Sequence, residues 1–287
     1  MTVVHMFPGQ GSHRVGMGRQ LLATYPNLVR QADSVLGYSI AELCLEGPPE
    51  RLSDTRFTQC ALYVVDTLSY IDTVRTSGTI PDLLAGHSLG EYAALFAAGV
   101  YDFRTGLEIV ARRAALMADA GPGAMAAVIG LDEERVRDVL ERAGGAVDIA
   151  NLNAPDQIVI SGRAADVQTV TPELSQLATA VVPLKVSGAF HSRHMAATAA
   201  EFERFLARHV LARLKIPVIA NTTALPYHQD DIAGILCRQL TQPVRWSETV
   251  EYFLSLPAPD LHEIGPGTVL TGLTKRIRAR QAATVAD

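Results

Sequence analysis

The chain is short of several things at once. Of its 287 residues three are cysteine, one is tryptophan, 6% are aromatic and 19% carry charge. Cys44, Cys60 and Cys237 are odd in number, far apart, and set in apolar or helical contexts, which argues against both a disulfide framework and a CxxC metal site. They read as reduced packing residues. Basic side chains are outnumbered, 25 against 30 acidic, for a formal charge of −5, so the global positive surface that phosphate neutralisation demands is missing and general nucleic-acid binding is excluded. No stretch of about 18 uninterrupted apolar residues occurs. The opening MTVVHMFPGQGS has neither a charged leader nor a long apolar run, so a soluble, cytoplasmic protein that avoids the membrane is expected. What remains is material for a core: 48% of the chain is apolar, and a chain of this length fits one large domain or one domain with an insertion.

Residues 3–7 form a short apolar run ending at Pro8-Gly9, and 82–87 form a second, both with the pattern of a buried strand stopped by a turn. Between them, Leu62, Val65, Leu68 and Ile71 at helical spacing predict a helix over 58–76 that Gly78 stops. A helix over 89–98 closed by Gly99 and another over 103–118 capped by Asp102 follow, and this alternation predicts a parallel sheet. Gly121-Pro122-Gly123 then breaks the pattern. Residues 125–129, 132–142, 147–152, 157–161, 164–178 and 181–186 read as β-α-β-β-α-β with a turn at 153–155, the ferredoxin-like order. The first domain resumes with a helix near 195–209, a strand at 216–220, a helix near 230–240 and a strand at 261–264; the polar tail after Lys275 is expected to fray. The expected architecture is thus an α/β-hydrolase-like large domain (1–123 and 188–287) with an inserted ferredoxin-like small domain (124–187).

Gly86-His87-Ser88-Leu89-Gly90 matches G-x-S-x-G at a junction of predicted strand and predicted helix, the context in which that motif carries meaning. A strand turning sharply into a helix strains the serine and demands small neighbours. The hydroxyl then stands at the sheet edge, with the Leu89 amide aimed where an oxyanion would form. A base is needed. Of eight histidines, His5, His209, His228 and His262 lie in strand or surface contexts, and His87 is locked into the elbow, facing away from Ser88. His13, His191 and His194 remain. His191 lies where the chain returns from the small domain and is the preferred base.

At this point the chain resembles the malonyl-CoA:acyl carrier protein transacylases, including the acyltransferases of polyketide synthases. Phe7-Pro8-Gly9-Gln10-Gly11-Ser12, Gly86-His87-Ser88-Leu89-Gly90-Glu91-Tyr92, Gly188-Ala189-Phe190-His191-Ser192, Glu263-Ile264-Gly265-Pro266-Gly267 and Leu270-Thr271-Gly272-Leu273 carry the resemblance in the family's order. Cys60 stands where the family usually has proline, a slight change at a helix start; Gly188 replaces a larger residue, which suggests a roomier pocket there. The resemblance implies that the Gln10 amide joins that of Leu89 in an oxyanion hole. A glycine-flanked loop suits that role, and neither phosphate-loop pattern occurs.

Arg113 is out of place. Phe103, Leu107, Val110, Ala114 and Met117 form one apolar stripe and Arg104, Glu108 and Arg112 a solvated face; Arg113 sits at the margin of the stripe and needs an anion. From the helix alone two readings stay open, an internal salt bridge to Glu91 or Asp119 and a substrate anion. The resemblance implies a planar clamp on the free carboxylate of a malonyl group. Leaving such a cation unpaired costs about 3–5 kcal/mol, so acetyl groups should be rejected by roughly 10² to 10³ or more. One added methyl is worth only about 1–3 kcal/mol, and Phe190, the residue type that malonyl-using members show, would crowd it.

The resulting expectation is ping-pong transfer of malonyl from malonyl-CoA through Ser88 to the phosphopantetheine thiol of an acyl carrier protein, by a monomer with no bound cofactor and no metal. A backbone carbonyl near 244–246 is expected to orient His191. Asn151 and Asn153, in the small domain, are candidates to line the cleft, with ordinary turn chemistry as the alternative reading. Net acidity means that an acidic carrier must dock locally, through arginines on helices flanking the cleft. An editing hydrolase on the same scaffold would lack Arg113, and a docking module with a relic site would show damaged motifs. A housekeeping fatty-acid enzyme stays open beside the favoured reading, a discrete acyltransferase loading polyketide synthase modules in trans.

Overall fold

The computed structural model describes residues 1–286. From the N-terminus its elements are β1 (Thr2–Phe7), α1 (Arg19–Thr24), α2 (Pro26–Leu36), α3 (Ile40–Glu46), α4 (Pro49–Ser53), α5 (Thr55–Ser77), β2 (Leu83–Gly86), α6 (Gly90–Ala97) and α7 (Phe103–Ala118). There follow β3 (Ala124–Ile129), α8 (Glu133–Arg142), β4 (Asp148–Ala154), β5 (Gln157–Gly162), α9 (Ala164–Leu177) and β6 (Ala180–Pro183). The last group is α10 (Ala196–Leu206), β7 (Val218–Ile219), α11 (Ile232–Gln239), α12 (Trp246–Leu254), β8 (Pro259–Glu263) and α13 (Val269–Ala286). Among the described residues no helix is long and apolar enough to cross a membrane.

Two separate sheets organise this mixed α/β chain. One is parallel throughout, in the order β7-β2-β1-β8, and the other antiparallel, in the order β4-β5-β3-β6. Parallel strands need both faces covered, which explains the near-continuous apolar runs at β1 and β2. Val4, Met6, Leu83 and Ala85 face a core completed by Trp246, Phe253 and Ile277 of α12 and α13. Phe7 and Leu84 join the larger core beneath α5, α6 and α7. The antiparallel sheet closes its own core, with Val128, Leu152 and Ile160 packed under Val136 of α8 and Leu174 of α9. The chain leaves for it at Gly123 and returns at Ser187, whose carbonyl accepts from the Gly123 amide at 3.0 Å. Across the seam, Leu152 N donates to Val244 O and Val244 N to Ala150 O, each at 2.9 Å.

Local signals mark most boundaries. Asp102 Oδ1 caps α7 through the Thr105 amide at 2.7 Å, and Gly78, at φ 68°, closes α5 by donating to Val74 O. Five expectations are corrected. Helix α5 begins at Thr55, because Asp54 caps it by accepting from the Arg56 amide at 2.8 Å. Cys60 therefore lies inside the helix and does not alter its start; it is a buried packing group whose thiol burial pushes up to about 12. Strand β4 runs on through Asn153 and Ala154, with register shifts that keep both buried, so the expected turn at 153–155 is displaced toward Pro155-Asp156. Strand β6 stops at Pro183, three residues short of the expected end, and Val186 N turns back to Leu184 O at 2.9 Å. The tail after Lys275 continues as α13: Ile277 is fully buried and Arg276 pairs with Asp156 at 2.8 Å. Asp287 lies outside the described residues.

Candidate active site

Strand β2 ends at Gly86, and the chain turns into α6 within four residues. A Cβ on Gly86 would overlap the Gly90 carbonyl group, and one on Gly90 would overlap the carbonyl of Phe7, so the two motif glycines are what let strand and helix approach. The turn forces Ser88 to φ 51°, a left-handed conformation that a serine adopts only when its surroundings insist. They do: Ser88 N donates to Asn221 Oδ1 at 2.8 Å, Asn221 Nδ2 donates to Gly86 O at 2.6 Å, and Ser88 O accepts from Gln239 Nε2 at 2.8 Å.

Opposite the elbow stands His191, itself at φ 55° and buried, with Nε2 at 2.8 Å from Ser88 Oγ. Its Nδ1 lies 2.7 Å from Gln239 O. A carbonyl can only accept, so Nδ1 carries the proton and Nε2 presents its lone pair to the serine hydroxyl. The orienting carbonyl is therefore that of Gln239 at the end of α11, not one of the expected 244–246. Burial, then the Arg113 charge, pulls the His191 pKa down to about 3, so the imidazole is neutral across the working range. Of the other two candidates, His13 meets Ser53 Oγ at 3.4 Å and His194 meets Ala146 O at 3.4 Å, both away from Ser88. His87 does face away from Ser88 Oγ: its Nε2 meets Asn153 Oδ1 at 2.7 Å while its ring helps wall the cavity.

Arg113 is deeper than a stripe margin, at 1% exposure. Its Nη1 donates to Gln59 Oε1 at 2.6 Å, and its Nη2 donates to Gln239 Oε1 at 2.9 Å and to Ser88 Oγ at 3.2 Å. The guanidinium carbon lies 5.1 Å from the centre of the Tyr92 ring. Neither internal carboxylate suggested by the helix pairs with it: Asp119 pairs with Arg56 at 2.7 Å, and Glu91 accepts from Asn221 N at 2.8 Å and from Gln239 Nε2. The guanidinium is hydrogen-bonded only to neutral oxygens, with Glu91 reached through Gln239, so no carboxylate occupies the position where an incoming one would bind it directly. The neighbouring arginines behave as the helix predicts, Arg104 with Glu108 at 3.0 Å and Arg112 with Glu201.

These groups line a cavity of about 90 Å³ that also takes in Gln10, Leu89, Asn151, Phe190 and Met117. Gly9 packs so closely on His87 O that a Cβ would overlap it, which brings the Gln10 amide beside the elbow; among the described residues neither that amide nor the Leu89 amide has an acceptor. Gly188 does not widen the pocket as expected. The Phe190 ring fills the space, with Cε1 2.5 Å from where a Gly188 Cβ would stand. Asn151 and Asn153 belong to β4, not to a turn. Among the described residues no group of three or more His, Cys, Asp or Glu is placed to hold a metal. Gln59, Gln239 and Asn221 were missed; the available signal was polar side chains within otherwise buried helices and just after a buried strand. The chemistry this arrangement supports is attack by an activated hydroxyl beside a waiting cation.

Comparison with known proteins places the chain in a family. A family model described as an acyl transferase domain matches residues 4–274. The polyketide biosynthesis malonyl CoA-acyl carrier protein transacylase BaeC of Bacillus velezensis is 47% identical over 287 residues, covering 99% of each chain. The crystal structure of a malonyl CoA-acyl carrier protein transacylase from Burkholderia pseudomallei superposes with a TM-score of 0.95 at 44% identity, over 98% of this chain and 99% of that one. A structure of a type II polyketide synthase acyl-carrier protein in complex with its malonyl-transacylase matches at a TM-score of 0.92 and 38% identity, over 96% and 93% of the two chains.

Proposed function

The chain belongs to the acyl transferase family, among the malonyl-CoA:acyl carrier protein transacylases, and from that premise we propose that Ser88 is its nucleophile, His191 its general base and Arg113 the clamp for the malonyl carboxylate. The single observation that carries the reading is the position of Ser88 Oγ, 2.8 Å from His191 Nε2 and 3.2 Å from Arg113 Nη2. A group that attacks a carbonyl carbon is thereby placed between a neutral base and a buried cation with no carboxylate of its own.

The first half-reaction follows from the atoms. His191 Nε2 takes the Ser88 hydroxyl proton as Oγ attacks the thioester carbon of malonyl-CoA. The oxyanion forms between the amides of Gln10 and Leu89. As the carbon–sulfur bond breaks, the imidazolium returns its proton to the sulfur of CoA. The malonyl carboxylate lies on Arg113 throughout. The second half reverses these steps with the phosphopantetheine thiol of the carrier protein. Acyl exchange between an oxygen and two sulfurs changes no oxidation state, so the reading needs no redox cofactor.

Phe190 closes the acyl pocket against an α-methyl, which makes malonyl the preferred group over methylmalonyl. Similarity to BaeC supports a discrete enzyme serving polyketide synthase modules in trans. Arg112 of α7, Arg204 of α10 and Arg208 just past its end line a groove together with Phe205 and Glu201, which pairs with Arg112; the basic side chains outnumber the acidic one, and we assign the acidic carrier's docking to it. The β-α-β-β-α-β order and the strand order β4-β5-β3-β6 support a ferredoxin-like small domain over 124–187, inserted into an α/β-hydrolase-like large domain of 1–123 and 188–287. The decisive experiment is intact-mass measurement after mixing with malonyl-CoA. A malonyl adduct is expected on the unsubstituted chain and none on Ser88→Ala; an adduct that persists on Ser88→Ala overturns the assignment.

A further inference from the structure

Acyl transfer as described leaves Glu91 without a task. It is the one charge in α6, fully buried, and it forms no ion pair among the described residues. Its carboxylate accepts from the Asn221 amide and from Gln239 Nε2, while Gln239 Oε1 accepts from Arg113. One side-chain amide therefore separates a buried carboxyl from a buried guanidinium. The other titratable groups around Glu91 are Tyr92 on its own helix, Tyr101 following α6 and Tyr227 following β7. Burial pushes all three phenols up, so they stay neutral, and His191 is neutral as well. Arg113 is the charge that Glu91 faces.

A dry site tolerates net charge poorly. With the acyl pocket empty, ionised Glu91 balances Arg113. A malonyl group on Ser88 brings a second carboxylate to the same guanidinium, and an ionised Glu91 would then leave the site with an excess negative charge. We propose that Glu91 is the exchangeable counter-charge of Arg113, ionised while the acyl site is empty and protonated once the malonyl carboxylate has docked, so that malonylation of Ser88 draws a proton from solvent and acetylation does not. The proposal rests on the reading of Arg113 as the malonyl clamp. Burial, restrained by the bonds from Asn221 and Gln239, holds the Glu91 carboxyl at about 7, where a nearby carboxylate is enough to move it. The proton balance is clean. Conversion of the Ser88 hydroxyl and malonyl-CoA to acyl-serine and free CoA thiol neither takes up nor releases a proton below the thiol pKa, so uptake reports a protein group, and the proton goes from buffer to a Glu91 oxygen.

Glu91 is thus a positioning residue: in either state it keeps the network around Gln239, which also orients His191 and holds Ser88, near neutral. The test is a single-turnover mixing of the full chain with malonyl-CoA in weak buffer with a pH indicator at about pH 7.5, with acyl-enzyme counted in parallel by intact mass. Uptake of between about half a proton and one proton per malonyl-enzyme is expected. None is expected when acetyl-CoA is supplied at concentrations that force acetylation, and none in Glu91→Gln. The infrared difference spectrum of malonylation should gain a protonated-carboxyl band that Glu91→Gln lacks. A malonyl adduct formed without proton uptake, or with the same uptake in Glu91→Gln, overturns the proposal. If Glu91→Gln does not fold, equal uptake with malonyl and acetyl groups on the unsubstituted chain overturns it instead. Failure to form any malonyl adduct removes the acyl-transfer reading itself, and this proposal with it.

Discussion

Arg113→Ala isolates the clamp. In the structure the guanidinium has neutral partners, Gln59, Gln239 and Ser88, and no carboxylate, so the largest interaction it stands to make is with the substrate. A planar fork on a carboxylate in a dry pocket is worth about 3–5 kcal/mol relative to the unpaired state. Its removal should lower kcat/KM for malonyl-CoA by roughly two to three and a half powers of ten. Acetyl-CoA never makes that contact and loses only the 3.2 Å bond to Ser88 Oγ, about 1 kcal/mol or roughly fivefold. The amide oxygens of Gln59 and Gln239 are left bare in both cases, which lowers stability by about 1–3 kcal/mol each but cancels from the comparison. The quantity to measure is therefore the ratio of kcat/KM for malonyl-CoA over acetyl-CoA, from CoA released during acyl-enzyme formation, on protein checked for folding by thermal denaturation. The ratio should fall by roughly twentyfold to several hundredfold. Arg113→Lys should fall in between, since a point charge cannot span both glutamine oxygens. If both substrates slow equally and the ratio stays put, Arg113 serves Ser88 and not the acyl carboxylate, and the specificity argument fails.

Asp66 on α5 is fully buried, neither carboxyl oxygen has a hydrogen-bond partner, and burial followed by the Glu263 charge holds its pKa well above the usual carboxylate range. A carboxyl that stays protonated when folded but ionises when unfolded contributes stability below the unfolded pKa and loses it as pH rises. Asp66→Asn should therefore match the unsubstituted chain at low pH and exceed it by a margin that widens as pH rises above the unfolded carboxylate pKa, read from denaturant unfolding; a difference that does not grow with pH would refute the assignment. Gly188→Ala should push the Phe190 ring toward the acyl pocket and lower kcat/KM for malonyl-CoA by about tenfold, an overpacking cost of roughly 1–3 kcal/mol. In a Phe190→Ala background the same change should do almost nothing, so additive effects would show that the two positions act apart.

The readings that held are those whose physics is local. The Gly86-x-Ser88-x-Gly90 elbow was legible because the collisions its glycines avoid involve the turn itself and the strand beside it. Helix α7 was read to its ends, since Asp102 caps within one turn and the apolar stripe repeats with the helical period. From that stripe alone Arg113 stood out as a cation needing an anion. The misplaced features were those set by neighbours elsewhere in the chain. Strand β6 ends at Pro183, short of the apolar run, and nothing in Leu184-Lys185-Val186 signals that end. The tail was expected to fray because its composition is polar, while Ile277 finds a place in the core behind the parallel sheet. Gly188 was read as open space because its occupant, the Phe190 ring, is decided by packing.

By itself, then, the sequence determined the serine elbow, the out-of-place cation on α7 and the alternation of strand and helix around them, and it narrowed the candidate base to three histidines, since each depends on spacing along one strand, turn or helix. Only the tertiary structure decided what surrounds them. The partners of Arg113 come from 54 positions before it and 126 after, and the carbonyl that orients His191 lies 48 positions further on, at Gln239 instead of 244–246. Every residue carries a backbone carbonyl and many a side-chain amide, so neither has a sequence signature; which of them reaches a buried charge is settled when α5, α7 and α11 pack around one serine.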